Sequence, residues 1–561
     1  MFLKRNHSRQ GGKTYHSVLL VEGVRVPVAK GPGRPRTGAV AKTKVVHRVL
    51  ANLSRLPASL LTVIERSCKG TLPTGDAPTV RTGPCYGVLA GLHALAGELG
   101  LVAALGSDRP AKLALFLIYA RLAWQGSRLA AVRWAEDQAV REVLGLEAFD
   151  EDDLYAALAW LQTHQARIEQ ALAPAGVAGA VYLYDVTSSY FEGQHNELAA
   201  HGYNRDGKRY KKQVVLGLLT DADGEPRSIR LFPGNTSDPQ TFGQAVATLK
   251  ERFAAREVVV VGDRGMIKTL GKEALSALGF RYVTALTDPQ IRRLLAAKVV
   301  QPELFDEVPL AVEHAGKRLI LRCNPATRDR ERSRRLDQWR RLQARLAAGQ
   351  ARLAAKPRAK VATLLKHAQQ WLAHYGFERW ITLRVEGREV HWQEDAAVRA
   401  DLETLDGCYC LETDLPAPVA DAGQVNARYM DLMAVERDFR TMKTGLLELR
   451  PIFLRKAAHT EGHALVTMLA LKLARALDRR VAPLGLTVDD ALTRLAGVRL
   501  IRLGGPTPAA TDLWRLPDGY QPAQQEILDV LPALPVPKLS LKPAVKRRLT
   551  NPRRGRSSPR K

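Results

Sequence analysis

Three acids in this chain stand where carboxylate chemistry would need them. Asp185 directly follows the apolar run Ala180-Val181-Tyr182-Leu183-Tyr184 and opens Asp185-Val186-Thr187-Ser188-Ser189-Tyr190. Asp263 follows the very apolar run Val258-Val259-Val260-Val261, in Val261-Gly262-Asp263-Arg264-Gly265-Met266. Glu436 lies between Tyr429 and Lys443 in a helical pattern. Tyr429, Glu436, Arg440 and Lys443 fall within an arc of roughly 60° at about 100° per helical residue. Two carboxylates brought together repel each other unless a divalent cation neutralises them. Oxygen ligands with open positions suit Mg²⁺, which keeps waters and accepts phosphate oxygens. A Glu flanked by cations and a phenol on one stripe suits a metal-bound phosphodiester, with Arg440 and Lys443 on the nucleic-acid backbone. Taken singly, the residues have plainer uses. An Asp after a strand forms turns or caps, Gly262 and Gly265 shape a tight turn, and Glu436 with Arg440 makes an ordinary i,i+4 pair.

The elements that must position these acids follow from periodicity. Strands are expected at 180–184, 213–220 and 228–232, the second closed by the turn Asp221-Ala222-Asp223-Gly224. A helix over 240–252, a strand over 257–261, a helix over 268–278 and a strand over 281–286 follow. Three strands with hairpin connections and then helix–strand–helix–strand match the ribonuclease H-like fold, an α/β mixed sheet with helices on its faces. Val258–Val261 fits a central strand covered on both sides. In that fold the strands ending at Asp185 and Asp263 are neighbours, so the two carboxylates emerge side by side.

The remaining chain divides by composition. The 561 residues are 46% hydrophobic and 25% charged, the balance of a globular protein of several domains. The net charge of +27 points to a polyanionic partner: nucleic acid, an anionic membrane surface or an acidic protein. A basic protein with no such partner, from a genome rich in Arg and Ala codons, is the plainer alternative. A basic DNA-binding region is expected at 1–105, with a strand over 14–21 and the loop Lys30-Gly31-Pro32-Gly33-Arg34-Pro35-Arg36. Its Arg34 and Arg36 suit an A·T-rich minor groove, or simply a solvated turn. Helices are expected at 106–178, the first part of the ribonuclease H-like core at 179–290, and an insertion of basic helices and a strand hairpin at 291–404. The second part of the core, with the Glu436 helix, is placed at 405–480, a C-terminal region at 481–537 and a disordered basic tail at 538–561. Within the insertion, residues 328–360 carry twelve Lys/Arg against Asp329, Glu331 and Asp337, a helix hairpin that either meets DNA or is merely solvated. Five scattered Cys with no CxxC pair favour a reducing compartment. The N-terminus lacks the apolar run of a signal peptide, and Tyr86–Leu105 reads as a buried helix pair rather than a membrane span. A soluble, cytoplasmic, nucleoid-associated protein with no membrane partner is expected.

Tyr429, Glu436 and Lys443, at these spacings, resemble the signature Tyr-x2-Arg-x3-Glu-x6-Lys of DDE transposases from bacterial insertion sequences, in the group with a large insertion before the final Glu. Leu432 stands where that signature has Arg, with Arg428 and Arg437 as candidate substitutes. Asp185-Val186-Thr187 is similar to the family's first motif, Gly262-Asp263-Arg264-Gly265-Met266 to its second, and Gly234-Asn235-Thr236-Ser237-Asp238 to the loop after its third strand. The similarity is carried by about 180–290 and 405–475, and less specifically by 1–21. It implies an enzyme that binds the terminal inverted repeats of its element, cleaves DNA and transfers a strand. Asp185 would bridge two Mg²⁺ ions (Mn²⁺ being the other option), with Asp263 on one and Glu436 on the other. Water attacks in cleavage and a DNA 3′-hydroxyl in strand transfer, with no covalent protein intermediate. The implied partners are double-stranded DNA, as element ends and target, and a second copy of the chain. Tyr429, Arg440, Lys443, Arg264, Arg34 and Arg36 are the expected DNA contacts, while Tyr190, Tyr203 and Arg205 serve DNA contact or packing. A catalytically inactive transposase-derived DNA-binding protein and a metal-dependent nuclease on the same fold are the alternatives.

Overall fold

A computed structural model describes residues 1–10, 13–27, 43–54, 56, 58–70, 79–173, 180–193, 195–203, 205–208, 210–253, 258–263, 266–450, 452–504, 513–515 and 519–535. The N-terminal segment forms an antiparallel sheet of β1 (Phe2–Gln10), β2 (Lys13–Pro27) and β3 (Thr43–Asn52), followed by α1 (Ala58–Cys68). The expected strand over 14–21 lies inside β2, while Arg34 and Arg36 lie outside the described residues. β4 (Thr79–Cys85) leads into a helical layer of α2 (Gly87–Glu98), α3 (Leu101–Leu105), α4 (Arg109–Ala123), α5 (Arg128–Ala135), α6 (Val140–Leu144) and α7 (Glu151–Ala171). Local chemistry starts these helices. Asp108 caps α4 by accepting the Ala111 amide at 3.3 Å, and Asp150 with Asp153 forms a reciprocal capping box on α7.

The core follows: β5 (Val181–Tyr190), β6 (Gln213–Asp221), β7 (Pro226–Pro233), α8 (Asp238–Glu251), β8 (Val259–Gly262), α9 (Thr269–Ala277) and β9 (Arg281–Ala285). β6 pairs antiparallel with β5 and β7, whereas β8 lies parallel to both β5 and β9. The spatial order β7-β6-β5-β8-β9 is that of a ribonuclease H-like sheet.

After α10 (Asp288–Ala296) the chain does not leave the sheet at once. β10 (Leu310–His314) and β11 (Lys317–Cys323) extend it, joined to β9 through β14 (Cys408–Thr413), so eight described strands lie in one sheet. Within the stretch 291–404, β10 and β11 thus lie on the edge of the sheet, and only from Pro325 onward does the chain stand apart. There α11 (Pro325–Ala355), α12 (Val361–Tyr375), the hairpin of β12 (Ile381–Glu386) and β13 (Glu389–Glu394), and α13 (Ala396–Glu403) form a unit with its own core around Trp339, Leu342, Leu372 and Trp380. The basic stretch 328–360 is also not itself a hairpin, because 31 residues run as one helix and α12 supplies the returning arm.

α14 (Ala422–Met430), α15 (Leu432–Lys443) and α16 (Ala457–Val481) return the chain to the core. α16 is buried round most of its circumference and crosses the sheet beneath α4 and α7. Gly462 permits this approach, since a Cβ there would lie 2.0 Å from the Leu158 carbonyl. After α17 (Val488–Ala496), β15 (Arg499–Gly504) pairs with both β16 (Leu513–Arg515) and β4, and α18 (Pro522–Val530) follows. No described helix is long and apolar enough to cross a membrane.

Candidate active site

The register of β5 against β8 sets Tyr184 opposite Gly262. The next residues along the two strands are Asp185 and Asp263, so the ladder brings the two acids abreast. Alternation then chooses the face. Tyr182, Tyr184, Val186 and Val260 enter the core beneath α8 and α9, while Leu183, Val259 and Val261 enter the opposite core, shared with α15 and α16. Asp185 and Asp263 continue the second set. α15 lies on this face of β5 with Leu432, Val435, Phe439 and Met442 buried, which leaves Glu436 exposed on its flank. Asp185, Asp263 and Glu436 together line a cleft of about 530 Å³, with Arg205, Arg440, Lys443 and Arg450 around it. The same three acids also border a narrower cavity of about 230 Å³ with Tyr409, Tyr429 and Leu432.

The electrostatics of the cleft are uneven. Asp185 accepts the Val186 amide at 2.7 Å. Its carboxyl is pushed up to about 7, first by burial and then by the negative charges of Asp263 and Glu436, against the pull of the amide and of Arg205. The Tyr429 hydroxyl donates to Asp263 Oδ1 at 3.1 Å, and the Thr284 hydroxyl donates to the Asp263 carbonyl at 3.3 Å. Glu436 and Arg440 are exposed and make no side-chain hydrogen bond or ion pair among the described residues.

Two expectations about the Glu436 helix change. The helix is not continuous from Tyr429 to Lys443; it breaks at Asp431, so Tyr429 belongs to α14 and the other three residues to α15. Lys443 is buried, and its ammonium donates to Asp206 Oδ1 at 3.0 Å. Burial pulls that ammonium below its ordinary range, with Asp206 opposing. Arg437 lines a different cavity, with Arg475 and Asp478. Leu432 is buried beside the acids. Arg264, Arg34 and Arg36 lie outside the described residues.

Sequence reasoning missed Asp206. Its side chain is 3% exposed, and it accepts from Lys443, from Arg450 Nη1 at 2.7 Å and from the Tyr190 amide at 3.2 Å. One carboxylate thus ties the end of β5 to the C-terminus of α15 and the segment beyond it. Arg205 beside it donates to both carboxylate oxygens of Asp238, at 2.7 and 2.8 Å. No short motif signals Asp206, because its two cationic partners are 237 and 244 residues away.

The family of the transposase DDE domain matches residues 179–473, more than half of the chain and all three acids. The chain belongs to this family. The transposase is also similar to a solved piggyBac transposase synaptic complex with hairpin DNA, over 73% of this chain and 76% of that chain, at 8% identity and a TM-score of 0.36. No curated protein matches it.

The donor chemistry of the transposase cleft fits a hard divalent cation. Its candidate ligands are carboxylate oxygens, with neither His nor Cys in the lining. Among the described residues no three His, Cys, Asp or Glu side chains converge on one ion position. The three acids face the cleft from separate elements.

Proposed function

We propose that this transposase binds the terminal inverted repeats of its element, cleaves DNA there and joins the freed 3′ end to target DNA. The observation that carries the reading is the convergence of Asp185 from within β5, Asp263 from the end of β8 and Glu436 from a helix on one cleft. At its side stands Arg440, a guanidinium with no ion pair among the described residues. Asp185, Asp263 and Glu436 would hold two Mg²⁺ or Mn²⁺ ions. Bound there, such ions supply an activated oxygen nucleophile and charge stabilisation of the leaving 3′ oxygen. The chain supplies the rest. With a cation held there, Asp185 releases to solvent the proton that burial and like-charged neighbours favour on it. Tyr429 orients Asp263 through its hydrogen bond. Arg440 takes a phosphate of the DNA backbone, and Arg205, fixed by Asp238, borders the same cleft. Water or a DNA 3′-hydroxyl attacks, so no Ser or Tyr nucleophile is required. Two copies of the chain bridge two DNA ends.

The test is a Mg²⁺-dependent cleavage assay on duplexes carrying the DNA that flanks the coding sequence, comparing wild type with Asp263→Asn. Metal-dependent 3′-hydroxyl ends from wild type, and a loss of at least about 10³-fold in the variant with DNA binding kept, are expected. Binding without cleavage by either protein would favour the inactive DNA-binding reading, with Leu432 the first position to change. Cleavage with no transfer of the 3′ end would favour a nuclease.

A further inference from the structure

α11 is 31 residues long, about 46 Å at 1.5 Å per residue. Arg330, Arg341 and Arg352 repeat along it at 11-residue intervals, Arg334 and Arg345 do the same, and Lys356 at the C-cap continues the second series. Eleven residues are close to three full turns, so the five arginines fall within an arc of roughly 60°. All are exposed, and none makes an ion pair among the described residues. Arg330 reaches only the Thr327 hydroxyl at 3.4 Å, and Arg345 lies 5.9 Å from the Trp371 ring centroid.

Arginines elsewhere round the same helix are treated differently. Arg332 and Arg335 pair with Asp406, and Arg340 with Asp337, the acid nearest the stripe. The pairs Arg330/Arg334 and Arg341/Arg345 stand i,i+4 with like charge, which costs a few tenths of a kcal/mol each unless a polyanion neutralises them. Successive arginine pairs are about 16.5 Å apart. A duplex with a turn of roughly 34–36 Å offers, from its two strands, a phosphate ridge on average every ~17 Å. The first half of α11 also walls a groove of about 840 Å³ that includes Arg334 and Tyr409. Tyr409 borders the narrower carboxylate cavity as well, so the groove at Arg334 adjoins the candidate site.

We infer that this face of α11 docks the phosphate backbone of duplex DNA, independently of sequence, and holds the flank of a DNA whose reacting phosphate lies at the three acids. The inference rests on the transposase reading. It is tested with the full chain, on a random-sequence 40-base-pair duplex and an equal-length duplex from the flanks of the coding sequence, between 50 and 200 mM salt. At about 0.9 per lost phosphate contact, replacing all five arginines with Gln lowers the slope of log affinity against log salt by about 4.5. A fall in affinity of at least about 100-fold at 50 mM salt accompanies it. The five-fold Arg→Lys variant keeps the slope, and Arg341→Gln alone lowers it by about 0.9, which serves if the five-fold Gln variant does not fold. Loss on both duplexes is the expected result, and loss only on the flanking duplex overturns docking that is independent of sequence. Unchanged slope and affinity in folded Gln variants overturn the inference while a cleaving wild type leaves the transposase reading intact. A wild type that neither binds nor cleaves either duplex overturns both.

Discussion

On one wall of the cleft, Asp185 and Asp263 are set by the hydrogen-bonded register of β5 and β8, between two buried cores. On the other, Glu436 projects from an exposed flank of a 12-residue helix whose ends are tied by side chains. Tyr429, just before that helix, reaches Asp263, and Lys443 at its end reaches Asp206. Asp438 on its far side pairs with Arg475 of α16 at 2.9 Å. Asp185 is paired within the β5–β6 ladder and Asp263 directly follows the last paired residue of β8, whereas Glu436 is placed by a helix packed on β5 and tied by side chains. One wall is built into the sheet and the other is tied to it.

Cutting the stronger tether gives the larger effect. Asp206→Asn leaves Lys443 and Arg450 without their counter-charge in a buried setting, and removing one partner of a buried pair costs about 3 kcal/mol. Urea unfolding should show that loss, and cleavage should fall by at least about tenfold with DNA binding retained. A destabilised protein that cleaves at the wild-type rate would show that Glu436 does not depend on the tether. Tyr429→Phe removes one hydrogen bond, so unfolding should shift by no more than about 1 kcal/mol and cleavage should slow by up to about fivefold. No change would mean that the strand alone aims Asp263.

The sheet wall was legible in the sequence and the tethers were not. Hydrophobic runs ending at Tyr184 and Val261 expose strand identity and order, and strand parity then fixes which residues share a face. The same local patterns could not show that β10 and β11 join the sheet, because the pairing of β11 with β14, which carries both strands, spans roughly 90 residues of insertion. The break at Asp431 was hidden by a helical period that runs through it unaltered. Asp206 was invisible for a different reason: its meaning lies in two cations far along the chain. The 11-residue arginine period of α11 was present in the sequence, but only the pairing of its other arginines shows that the stripe stands apart.

That the two walls form one catalytic unit is tested most directly by metal-dependent cleavage rates of Asp263→Asn, Glu436→Gln and the double variant, with DNA binding measured alongside. Groups acting as a unit are non-additive, so each single variant should fall by at least about 10³-fold and the double no further. Glu436→Gln cleaving within about threefold of wild type, or a double variant that loses the product of the two single effects, would contradict it.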